Sequence, residues 1–317
     1  MPPSILLQED NEILRAKTHL GPGSVLLLKV SVVGSGVLIT VKYGNLQNVP
    51  YTKRKHLLLW SNARDRMAGD SSFENKKLDF KEDLLPEIHP ESVRVRMIAN
   101  RIFDALKRDL SKKNMWRDDL GKSRKKANQR QSHQPCTSHL DGLNWGILVV
   151  NDNTIANAYS YPNGKVMVFT GLLELLTSDD LATLIAHEVG HTVARHAAED
   201  QTDYMFFIIQ QLILLPFISF PSLIVNLIAA RSIMLLFSRR QEIEADYIRL
   251  LLLASAGYDP RVAPKVYEKF GKIFGDSFLN YFSTHPSGQK RAKLLSQDEV
   301  MKEAVTIYEN ARAGHEK

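Results

Sequence analysis

Residues 178 to 196 read SDDLATLIAHEVGHTVARH, and this stretch decides the fold. Thr177 and Asp180 stand at capping-box spacing, and Leu181, Leu184 and Ile185 recur at helical intervals, so the segment predicts a helix with a defined start and a buried stripe. On that helix His187 and His191 are i and i+4. They project from one side, close enough to share one Zn²⁺, while Glu188 points at the open coordination position. A water there, acidified by the metal, would lose a proton to Glu188 and attack a carbonyl polarised by the same ion. The chain has one cysteine, Cys136, which excludes a thiolate cage and an internal disulfide. Any metal is therefore held by His and carboxylates.

A closed site needs a third protein ligand. Residues 238 to 260, SRRQEIEADYIRLLLLASAGYDP, read as an amphipathic helix that stops at Gly257 and Pro260. Glu242 and Asp246 are again i and i+4: one can bind the metal while the other hydrogen-bonds the far nitrogen of a ligating His. Glu244 points elsewhere and is a reserve ligand.

Outward from these motifs, Pro90 begins a helix in which Val95, Ile98, Ile102, Ala105 and Leu106 share one face. The run WGILVVNDNTIANAYSYPNGKVMVFTG (145 to 171) has two β-rich stretches around Asn and Pro-Asn-Gly punctuation and predicts a small antiparallel sheet just before the metal helix. Segments within 260 to 313 read as helices that close over the core. The expected class is α+β, mostly α.

Two apolar stretches bear on membranes. Val25 to Val41 is apolar or small except for Lys29 and is a short transmembrane candidate, with a buried β-hairpin as the alternative. Met205 to Ala230 carries no charge, but Pro216 and Pro221 favour two shorter helices that line the cleft, dip into the bilayer or form core. The formal charge of +6 is concentrated between Lys107 and Arg130, a stretch without apolar periodicity that reads as a solvated insertion. The alternative is an electrostatic contact with acidic lipid or a partner, and the lack of interleaved aromatics beyond Trp116 counts against a nucleic-acid binder. The expected organisation is an N-terminal tail (1–23), a membrane anchor (24–43) and a catalytic domain (44–317) with a basic insertion at about 118–140 and an apolar segment at 205–237.

HEVGH, then RRQEIEAD, then STHPSGQKR (283 to 291) together resemble the zinc peptidase family that includes HtpX, the CAAX prenyl proteases and the mitochondrial Oma proteases. The upstream VVGSGVLITVKYGNLQNVPYTKRKHLLLWS (32 to 61) is most similar to the Oma branch. The resemblance implies a zincin-like fold with an N-terminal anchor. It implies a metalloendopeptidase holding one Zn²⁺, acting on membrane-protein or peptide substrates in quality control or processing at the mitochondrial inner membrane, in contact with lipid. A homo-oligomer is compatible with it; a nucleic-acid partner is not. It further implies that Glu242 is the third ligand, that Asp246 supports a ligating His, and that His285 and Arg291 stabilise the oxyanion or gate the metal. Asn157 and Ala158 would offer a strand edge to substrate. Lys42, Lys53, Arg54 and Lys55 follow the first apolar stretch, at odds with the intermembrane-facing domain that the resemblance implies. The competing reading is a non-catalytic zinc-containing membrane scaffold or chaperone, which has no need of Glu188 as a base.

Overall fold

The computed structural model describes residues 45–111, 137–174, 176–214, 220–273, 291, 295 and 298–315. The stretch 25–41, Cys136, His285 and most of the basic insertion lie outside the described residues.

Strands β1 (Asn45–Asn48) and β2 (Lys55–Leu58) pair antiparallel, Asn48 opposite Lys55, and close the loop 49–54. Tyr51 and Lys53 in that loop take φ of 67° and 56°. Neither is glycine, so each is held in a sparsely populated region at a cost of about 1 kcal/mol or more that the surroundings must offset. Helix α1 (Asn62–Asp79) is capped by Ser61, whose side chain accepts from the Arg64 N–H. It is polar nearly throughout, and only Asp65, Gly69 and Phe73 are buried. Helix α2 (Pro90–Ser111) opens on Pro90, where a missing N–H costs nothing, and buries the expected Val95, Ile98, Ile102 and Leu106 stripe.

Strands β3 (Gly146–Val150), β4 (Ala158–Ser160) and β5 (Lys165–Phe169) form a sheet in the order β3-β5-β4. β4 and β5 are antiparallel, as expected, but β3 and β5 are parallel, which corrects the fully antiparallel reading. The chain reverses between β3 and β4 and again at the turn containing Gly164 (φ 83°), so β3 and β5 run the same way. With β4 on one side of β5, β3 takes the other.

Helix α3 (Ser178–Ala194) carries the HEVGH motif, and both halves of its capping box form, between the Thr177 side chain and the Asp180 N–H and between Asp180 and the Thr177 N–H. It is the central rod of the fold, buried on nearly every side. It ends at Arg195, which adopts the left-handed conformation (φ 57°), and α4 (His196–Leu214) begins at the next residue. Helix α5 runs unbroken from Phe220 to Ser255. Pro216 lies outside the described residues and Pro221 falls in the first turn of α5, which is not short: its 36 residues carry the chain about 54 Å from the apolar stretch through Glu242 and Asp246. Among the described residues no helix is long and apolar enough to cross a membrane. Helices α6 (Val262–Ile273) and α7 (Asp298–His315) follow, and buried Ala263, Val266 and Ala304 join the main core with α2, α3 and α5.

Candidate metal centre

Two helices build the centre, and their closeness rests on Gly190. A Cβ placed there would fall 2.9 Å from the Ala245 carbonyl oxygen, so the α3 and α5 backbones are in direct contact. That contact sets His187 and His191 of α3 against Glu242 of α5. The His187 Nε2 lies 3.1 Å from the His191 Nε2, and Glu242 places Oε2 3.3 Å from the first and Oε1 3.4 Å from the second. These three residues are the metal-competent group found among the described residues. A tetrahedral ion with bonds of about 2.0 to 2.1 Å spaces its ligand atoms by about 3.3 to 3.4 Å. The donor set therefore fits zinc in both spacing and chemistry.

Each imidazole is anchored through its other nitrogen, but by different partners. The His187 Nδ1 is 3.1 Å from Asp246 Oδ1, a direct carboxylate partner. Burial would raise the Asp246 carboxyl, but Arg249 and Arg291 outweigh it and hold the group well below the usual carboxylate range. Burial lowers the His187 pKa, which favours the neutral imidazole a metal requires. The His191 Nδ1 instead meets another imidazole, the Nδ1 of His196, at 2.9 Å. The His196 Nε2 is in turn 3.1 Å from Glu244 Oε2, and burial pushes the His196 pKa down to about 4. Glu244, the reserve ligand, thus faces His196 and stands outside the three-residue group.

Sequence reasoning missed His196 although it closes the quoted stretch. Five residues beyond His191 on a straight helix it would point away, and only the left-handed turn at Arg195 brings it back. Arg195 holds that turn by donating to Asp65, to the Gln47 side chain and to the Trp60 carbonyl.

Glu188 is buried, and its Oε2 accepts from both the N–H (3.1 Å) and the hydroxyl (3.0 Å) of Ser160 on β4. Ser160 was also missed, for a hydroxyl on a three-residue strand has no motif to announce it. Asn157 is buried and its Oδ1 accepts from the Ala158 N–H, while β4 is an edge strand of its sheet. A cavity of about 250 Å³ is lined by Ala158, Ser160, Glu188, His191 and Glu242. Arg291 is buried against the ligand atoms themselves: its Nη1 lies 2.7 Å from Glu242 Oε2, its Nη2 lies 3.4 Å from the His187 Nε2, and its Nε and Nη2 donate to Asp246 at 2.6 and 2.8 Å.

Residues 123–299 match the family model described as peptidase family M48. The chain is 46% identical over 332 residues to the mitochondrial metalloendopeptidase OMA1 of Arabidopsis thaliana, covering 90% of this chain and 67% of that protein. It is 30% identical over 294 residues to the mitochondrial metalloendopeptidase OMA1 of Homo sapiens, covering 86% of this chain and 49% of that one. Metalloprotease LoiP of Escherichia coli is 24% identical over 158 residues, 48% of this chain and 60% of the bacterial protein.

Proposed function

The chain belongs to peptidase family M48 and is a metallopeptidase, and from that premise we propose a zinc-dependent endopeptidase that cuts membrane-associated proteins in the mitochondrion. His187, His191 and Glu242 hold the ion, with Asp246 fixing His187. The observation that carries the zinc assignment is the convergence of two imidazole nitrogens 3.1 Å apart with a carboxylate whose Oε2 lies 3.3 Å from one and whose Oε1 lies 3.4 Å from the other. When bound, zinc supplies Lewis-acid activation of the scissile carbonyl and of water.

Glu188 is the general base. Two donors from Ser160 orient its carboxylate, and from there it takes the proton of the attacking water and passes it to the departing amine. The β4 edge beside it is the surface along which a peptide adds as a further strand, with Ala158 on that edge and Asn157 shaping it, the substrate displacing the bonds that the Ala158 and Ser160 N–H groups make to Asn157 and Glu188. Arg291 acts through Glu242 and Asp246, whose carboxylates it holds. His285 would stabilise the oxyanion or gate the metal, a role that the family resemblance gives it together with Arg291. Relatives named as mitochondrial metalloendopeptidases support the mitochondrial address. The apolar runs 25–41 and 205–230 support action at the inner membrane, in quality control or processing of proteins there.

The test is cleavage of casein or a quenched peptide by the purified chain, with metal analysis, alongside Glu188→Gln and His187→Ala. Expected are one zinc per chain, activity abolished by a chelator, zinc kept but activity reduced by 10²-fold or more in Glu188→Gln, and both lost in His187→Ala. Full activity in Glu188→Gln would overturn the mechanism. Carbonate extraction of mitochondria expressing a chain without residues 1–45 tests the apolar segment, and complete release into the supernatant removes its membrane role.

A further inference from the structure

The segment VPYTKRKH (49 to 56) has no part in the chemistry above, yet its side chains converge on the back of the metal centre. Thr52 donates to Glu244 Oε1, and Arg54 donates to Glu244 Oε2 through Nε (2.8 Å) and Nη2 (2.6 Å). The same guanidinium makes a two-point contact with Glu199 at 2.7 and 2.6 Å, and Glu199 also meets the His56 Nδ1 at 3.3 Å. Between this cluster and His191 stands one side chain, His196.

We infer that Thr52, Arg54, Glu244 and His196 are positioning residues that fix the tautomer and orientation of His191 through a chain of hydrogen bonds. This rests on the reading of His191 as a metal ligand. Two ring nitrogens 2.9 Å apart share one proton, and the question is which ring supplies it. The His191 Nε2 faces His187 and Glu242, so when it ligates, the His191 proton sits on Nδ1 and is donated to His196. His196 must then carry its own proton on Nε2, where Glu244 accepts it. A carboxylate thus dictates the tautomer of His191 through an intervening imidazole, whereas Asp246 does so for His187 directly.

The hairpin geometry supports an aimed device. Tyr51 and Lys53 both hold left-handed φ values, which turn the intervening Thr52 and the following Arg54 toward Glu244, and the Tyr51 hydroxyl is tied to Asp109 at 3.1 Å. His196 and Glu244 are both buried, so water is a poor substitute for either.

The test measures zinc affinity of the full chain by competition with a chromophoric chelator, for His196→Leu, His196→Gln, Glu244→Gln, Arg54→Met and a His191→Ala control. His196→Leu and Glu244→Gln are expected to bind zinc 10- to 100-fold more weakly, and Arg54→Met several-fold more weakly. His196→Gln should recover most of the affinity, because its amide both accepts from His191 and donates to Glu244, a rescue that a merely space-filling role does not produce. The circular dichroism of each variant is recorded, and if His196→Leu does not fold, Arg54→Met and Glu244→Gln decide. Zinc affinities within twofold of the parent in those variants, with His191→Ala deficient, would overturn the relay alone. Unchanged affinity in His191→Ala would instead overturn the ligand assignment beneath it.

Discussion

The carbonyl oxygen of Ala245 lies where a side chain on Gly190 would have to go: a Cβ there stands 2.9 Å from it. The distance between α3 and α5, and with it the reach of Glu242 to the two histidines, depends on the missing methyl. Gly190→Ala forces backbone to move against backbone, since neither atom belongs to a flexible side chain. We expect a loss of about 1 to 3 kcal/mol in stability and a zinc site opened by a few tenths of an ångström. Chemical denaturation with and without zinc checks this: the variant should lose more in the presence of zinc than in its absence, because the fault lies between the ligands.

Removing the metal is expected to leave the fold standing but weaker. The ligand atoms are already grouped within 4.8 Å of one another, so an ion binds the folded chain far better than the unfolded one. Zinc at a thousandfold its dissociation constant stabilises by about 4 kcal/mol, on the order of 10 °C in Tm for a chain of this size. A scan with excess chelator should show that fall and stoichiometric zinc should reverse it. An unchanged Tm would remove the metal from the account of stability.

Much of this centre was legible in the sequence, and the reason is periodicity. His187, His191, Glu242 and Asp246 each sit on a helix at i, i+4 spacing, so a fixed geometry translates number directly into direction. Ser160 and His196 were not legible for the opposite reason. Ser160 reaches Glu188 from a sheet edge whose register is set by β5, and His196 reaches His191 only through the left-handed turn at Arg195. The parallel pairing of β3 with β5 escaped likewise, since alternation marks a strand but not its neighbour. Helix α1 was overlooked because its polar sequence offers no apolar stripe, although Ser61 gives it a cap.

Acid titration gives a separate prediction at Asp203. Burial, then the charges of Glu199 and Asp200, push its pKa up to about 6, against an unperturbed value of about 4. A carboxyl whose folded pKa is raised favours folding while protonated, so its penalty is absent below about pH 4 and fully developed above about pH 6. Asp203→Asn should therefore stabilise the protein at pH 7.5, by about 1 to 2 kcal/mol after allowance for its partial exposure, and leave it nearly unchanged at pH 3.5. Urea denaturation at the two pH values decides. An equal effect at both would mean that packing or hydrogen bonding, and not charge, governs that position.

Arg291 supplies the last prediction. Its guanidinium meets Glu242 through Nη1 and Asp246 through Nε and Nη2, so one buried planar group spans the third ligand and the carboxylate that supports the first. Lysine carries the same charge but a single point of contact, and cannot face both carboxylates in that fork. Arg291→Lys is therefore expected to keep the fold while zinc affinity falls about 10- to 100-fold, the range for losing an outer partner of a metal ligand. Arg291→Ala leaves two buried carboxylates without that counter-charge and should also cost several kcal/mol of stability. Because Arg291 acts in part through Asp246, combining Arg291→Lys with Asp246→Asn should weaken zinc binding by less than the product of the two single effects. Affinities measured by chelator competition across that cycle give the answer, and strictly multiplicative losses would show that Arg291 and Asp246 serve the metal independently.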